Sequence, residues 1–112
     1  MSTPSPEPIR YVNASILRAL FRDARIENRL TAGELTIIAK AGTERLAPAY
    51  LGEPPGTVSH TVVYLDESGV AQAIAHEYLR PDATIGASGQ RDPKWLRFQG
   101  VAWKLGRAAS EA

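Results

Sequence analysis

Four arginines, Arg18, Arg22, Arg25 and Arg29, recur at intervals of four, three and four residues. That spacing lines side chains along one face of a helix. A row of guanidiniums, each a planar fork of donors, is suited to phosphates, with nucleic acid the obvious anionic polymer. The competing reading is a solvated helix face, with Asp23 and Glu27 close enough in sequence to neutralise part of the row. The second chemical candidate is the pair of histidines, His60 and His76, the only two in the chain, with Tyr64 and Tyr78 expected on the same face. Facing imidazoles can exchange protons near neutral pH or hold a metal. A metal site would need a further ligand, and Glu77 points to the opposite face of its strand, so no metal is assigned.

Both candidates depend on the elements that carry them. Val58–Leu65 and Val70–Leu79 flank Asp66-Glu-Ser-Gly69. Asp can open a type I turn and Gly can take the positive φ that follows it, so the segment reads as a hairpin (58–65/70–79) with a three-residue loop. With Asp66 facing Val70, a regular ladder places Tyr64 opposite Gln72, Val62 opposite Ile74 and His60 opposite His76. The small side of the second strand, Ala71, Ala73 and Ala75, would face the helices together with Val63, Leu65 and Leu79.

Ile16, Leu17, Leu20, Phe21 and Ala24 form an apolar stripe over 14–30, with Asn13 as N-cap, which predicts a first helix. Thr31 and Glu34 have capping-box spacing ahead of Leu35, Ile37, Ile38 and Ala41, which predicts a second helix ending at Gly42. Residues 43–57, rich in Pro and Gly, read as a connection with one helical turn near Glu44–Leu46. Asp92-Pro93 reads as the start of a helical turn over 94–98, and Val101, Trp103 and Leu105 alternate as a closing strand. Ile9–Val12 is a short strand or the approach to the first helix. Both tryptophans, Trp95 and Trp103, read as core residues, although in a basic segment they can stack on bases. The expected fold is α+β: two N-terminal helices on one face of a small antiparallel sheet of three to four strands. Residues 10–106 form the domain, with flexible tails at 1–9, which carries Pro4, Pro6 and Pro8, and at 107–112.

Composition sets the outer limits. The chain has 112 residues, 44% apolar and 22% charged, without cysteine, so disulfide and thiolate chemistry are excluded. No apolar run approaches a membrane span, and the N-terminus lacks a secretory pattern, so the expected location is the cytoplasm. The net charge of +1 hides basic segments at 10–29 and 91–107 around an acidic stretch at 44–77. Gly86-Ala-Ser-Gly89 matches neither a phosphate loop nor a nucleophile elbow, and Ser88 reads as an ordinary turn residue. No cofactor motif is present.

In element order alone, two helices followed by an antiparallel sheet, the chain resembles the small ribonuclease toxins of toxin–antitoxin systems. That resemblance implies RNA cleavage by basic, histidine and tyrosine side chains, here His60, His76 and Tyr78. The leading expectation is a non-enzymatic binding or accessory module. It would act through protein contacts or self-association, with nucleic acid as the polyanionic partner and the arginine row as the surface. A metal or small-ligand binder on the histidine face is the third alternative.

Overall fold

The computed structural model describes residues 7–106. Strand β1 (Ile9–Val12) leads into helix α1 (Ala14–Asp23), capped as expected: the Asn13 side chain accepts from the Ile16 amide at 2.9 Å. A single residue, Arg25, then adopts the left-handed conformation (φ 57°), and helix α2 (Ile26–Thr31) starts in a new direction. The helix expected over 14–30 is therefore two helices. The helix expected over 31–42 does not form. Instead the chain turns at Gly33 (φ 82°) and runs into strand β2 (Thr36–Ala39). Thr36-Ile-Ile is a β-branched run that packs well on a pleated surface, and it outweighs the capping-box spacing. The Thr31 hydroxyl instead donates back to the Glu27 carbonyl at 3.1 Å.

Strand β3 (Arg45–Leu46) and a 3₁₀ turn (Ala49–Leu51) occupy the connection, displacing the helical turn expected at 44–46. Strands β4 (Val58–Leu65), β5 (Ala71–Leu79), β6 (Asp92–Phe98) and β7 (Val101–Leu105) complete one sheet of seven strands, ordered β1-β7-β6-β5-β4-β2 with β3 also on β4. The fold is α+β, but the sheet is larger than the three to four strands expected. It is also mixed, because β1 joins β7 in parallel. The residues 94–98 are strand, not helix. Pro93 is accommodated where β6 and β5 fall out of regular register, between Ile74 and Ala75, as proline in a sheet requires.

The 66–70 turn closes as expected. The Asp66 amide bonds the Val70 carbonyl at 2.9 Å, and Gly69 has φ 80°. One residue later the ladder departs from the regular register. Leu65 pairs with Ala71, but Tyr64 pairs with Ala73, leaving Gln72 as an unpaired bulge. Every later pair is shifted: Val62 meets Ala75, Thr61 meets His76, and His60 meets Glu77. His60, Val62 and Tyr64 are buried on the helix side with Ala73, Ala75 and Glu77, and His76 lies on the other side. A slip of one residue moves a side chain to the opposite face, so the two histidines are separated by the sheet. The expected partners of the alanines, Val63 and Leu65, likewise belong to the other side.

α1 packs across β6 and β7. The core contains Leu17, Phe21, Ile26, Leu35, Val62, Tyr64, Ala73, Ala75 and Leu96. Phe21 meets Tyr64 edge to face at 5.8 Å between ring centres. Trp103 joins this core from its margin, but Trp95 lies on the other side beneath the Arg97 guanidinium, 5.5 Å from its ring centre. No helix among the described residues is long and apolar enough to cross a membrane.

Candidate binding cleft

The break at Arg25 decides what becomes of the arginine row. α1 carries Arg18 and Arg22 along one edge, Arg25 occupies the corner, and α2 turns Arg29 away to approach Glu34 at 3.8 Å. Arg18, Arg22 and Arg25 line a cleft of about 560 Å³ between the helices and the 80–92 connection, which contributes Ile85, Gln90 and Arg91. The floor includes Phe21, Ile26 and Pro93. This is the size range of small-ligand sites.

The far wall is held by Glu53, a residue the sequence did not mark. Its carboxylate accepts from Arg80 Nε at 2.7 Å and from the Ala87 amide at 2.6 Å, and these bonds hold it below its usual pKa. Gly86 lies so close that a Cβ there would sit 3.0 Å from that carboxylate. The Gly86 amide also bonds the Tyr78 carbonyl at 2.7 Å, tying the loop to the end of β5.

Below the cleft runs a chain of five polar side chains. His60 Nε2 hydrogen-bonds Glu77 Oε2, and Arg91 Nε donates to Glu77 Oε1 at 2.6 Å. The same guanidinium donates to Glu27 Oε2 at 2.7 Å, and the Tyr64 hydroxyl donates to Glu27 Oε1. Glu77 is 5% exposed. Burial works to raise its pKa, but hydrogen bonds from Arg91 and His60 outweigh it and hold the carboxyl below its ordinary value. Burial also disfavours the Arg91 cation, yet Glu77 and its neighbours keep its pKa raised. Burial first, and then the bond to Glu27, push the Tyr64 hydroxyl upward. Glu77 and Arg91 are therefore held ionised and neutralise one another. The polar chain ties α2 and the 80–92 connection to the sheet.

His76 sits on the other face. Its Nε2 is 2.6 Å from the Ser59 hydroxyl, and its ring stands edge-on to Tyr78 at 4.7 Å. Partial burial, then the nearby Lys94 ammonium, lower its pKa, so the imidazole is neutral at neutral pH. A second cleft of about 660 Å³ includes His76, Tyr78, Ser88, Asp92 and Lys94, and shares Arg18, Gln90 and Arg91 with the first.

Of the expected site residues, Arg18, Arg22 and Arg25 converge and Arg29 does not. His76 and Tyr78 remain neighbours, while His60 belongs to the Glu77 chain. Among the described residues no group of three or more His, Asp or Glu side chains is arranged to hold a metal. The participants not foreseen are Glu77 and Arg91. Tyr64, expected beside both histidines, shares a side with His60 alone, and Glu27, expected to pair within the arginine row, holds Arg91 instead. One signal was available for Glu77: it continues the Ala73, Ala75 alternation and so shares their buried side. Comparison with family models, curated proteins and solved structures returns no match.

Proposed function

We propose that this is a cytoplasmic, non-enzymatic binding module whose recognition surface is the arginine cleft, with a partner that presents an anionic group. The observation that carries this reading is the state of Arg22 and Arg25. Both are exposed at the cleft, and neither has a carboxylate within ion-pairing distance among the described residues. Arg25 does so in a left-handed conformation that costs a non-glycine residue about 1 kcal/mol. A strained residue at the lip of a cleft is a reason to suspect function there.

Arg25→Gly separates function from folding. Glycine takes φ 57° freely, so the variant is expected to match the parent's stability or exceed it by up to about 1 kcal/mol, read by thermal unfolding. Anion binding, read by titration calorimetry with inorganic phosphate and by retention on heparin, is expected to weaken in the variant. Binding unchanged in both Arg25→Gly and Arg22→Ala would remove the proposal.

A second reading, RNA cleavage, has one observation in its favour. A neutral His76 lies beside Lys94 and Arg91 in the second cleft, placing a general base near two cations. Cleavage of a fluorogenic RNA oligonucleotide should then be abolished by His76→Ala and survive His60→Ala. The sheet separates the two rings, so a loss with His60 alone would contradict this version.

A further inference from the structure

We infer that the cleft takes an amphiphilic anion, one phosphate or carboxylate group on an apolar body about the size of a fused ring pair, and not a polyanion. This rests on the cleft being an anion site, and it follows from which of the lining charges are already spent.

Five cations surround the two adjoining clefts: Arg18, Arg22, Arg25, Arg91 and Lys94. Arg91 is clamped between Glu77 and Glu27 at 2.6 and 2.7 Å. Asp92 takes Lys94 at 2.9 Å and lies 3.9 Å from Arg18. The carboxylates that hold these three would repel a phosphate brought up to them. Of the five, only Arg22 and Arg25 have no carboxylate partner among the described residues, Arg22 in the last turn of α1 and Arg25 at the helix break.

The cleft thus has one end with unpaired cations and a body whose charges, Arg18, Glu27 and Arg91, are already paired. Ile85 and the edges of Phe21 and Pro93 supply apolar lining over the fully buried Ile26, and Gln90 supplies an amide. A volume of about 560 Å³ exceeds what an isolated phosphate fills. An acid group held between the two guanidiniums would place its attached carbon skeleton against that lining. A nucleic-acid strand would need cations spaced along its path. Here it meets two free cations, then Glu27 and Asp92.

The test compares four probes by titration calorimetry or fluorescence at fixed ionic strength: 1-naphthyl phosphate, inorganic phosphate, 1-naphthol and an oligothymidylate. The expected result is that naphthyl phosphate binds at least about tenfold more tightly than either phosphate or naphthol. That advantage should disappear in the Arg22→Ala, Arg25→Gly variant, whose substitutions lie at exposed positions. The oligothymidylate should bind weakly, with a logarithmic salt slope of about −1.4, the value for two neutralised phosphates. A slope near −3.5, the value for five, with tighter binding than naphthyl phosphate, would overturn the inference while leaving the anion site standing. Equal affinity for naphthyl phosphate and inorganic phosphate would also overturn it. Failure of all three anions to bind would overturn the cleft reading itself.

Discussion

On the helix side of the sheet, Ile37, Tyr64, Ala73, Leu96 and Trp103 stand opposite one another across β2, β4, β5, β6 and β7. One residue along, Ile38, Val63, Ile74, Trp95 and Lys104 form the matching row on the reverse side. The first row contains Tyr64, Ala73 and Leu96 at 0% exposure, whereas Ile38 in the second is 50% exposed and Val63, Ile74 and Trp95 are half-buried. The strands and their pairing are common to both rows. What differs is that the helices pack on one side only, so contact with helices, not hydrophobicity of the residue, makes the core. The same asymmetry explains the polar chain. A carboxylate at Glu77 must be neutralised beneath that cover, while His76, one residue earlier, is satisfied by a neighbouring hydroxyl.

The largest expected effect breaks the apolar half of this comparison. Leu96→Ala should cost about 4 kcal/mol in urea unfolding, because it removes a fully buried side chain and leaves a cavity. Ile74→Ala, on the reverse row, should cost less than about 1 kcal/mol, as a half-exposed residue leaves space that water can fill. Equal costs would mean that the reverse face is also covered in solution.

A smaller effect sharpens the polar half. Glu77→Ala should destabilise by about 3 kcal/mol, since Arg91 and His60 lose their shared carboxylate in a buried site. His76→Ala should stay below about 1 kcal/mol. The acid dependence carries the same information. The Glu77 pKa is depressed on folding from its ordinary 4.5. Its contribution is therefore complete above that value and is lost as pH falls through the lower, folded-state pKa. Glu77→Gln should flatten this part of the stability–pH curve, and an unchanged acid limb would show that Glu77 is not ionised in the folded protein.

How much of this was legible depended on whether a local signal existed. Asn13, the 66–70 turn and the alternation of β7 carry their geometry in a few adjacent residues and formed where expected, and the apolar stripe gave a helix that starts where expected but ends at Asp23. β2 was misread because Leu35, Ile37, Ile38 and Ala41 fit a helix as well as a strand, and Thr31 and Glu34 tipped the reading toward a cap. In β6, Asp92-Pro93 imitates a helix start, and only pairing with β5 and β7 overrides it. In the site, the alignment of Arg18 and Arg22 followed from helical spacing, and Arg25 joins them from the corner. The departure of Arg29 depended on a left-handed arginine that no residue type announces. Arg91 joins Glu27 across 64 positions in sequence, a separation at which spacing says nothing.

The bulge at Gln72 is the least visible of these features and had the widest consequence. It contains neither Gly nor Pro, yet it sets which member of every later pair faces the helices. Its side-chain amide donates to Asp66 Oδ2 at 3.1 Å, and the other oxygen of that carboxylate accepts from the Ser68 and Val70 amides. The bulge is thus anchored to the turn that precedes it. Deleting Gln72 removes the extra residue but keeps Ala73 opposite Tyr64, so the register beyond it survives and the cost should be about 1 kcal/mol or less, for one hydrogen bond. Deleting Ala73 also removes the bulge, but draws Gln72 into the position facing Tyr64, where a buried amide costs about 2 kcal/mol more. Urea unfolding ranks the two deletions, and NMR contacts between Thr61 and His76 report whether the pairing is retained. If deletion of Gln72 instead abolishes those contacts, the register is held by the bulge itself and not by the fit of Ala73 and Ala75 beneath the helices.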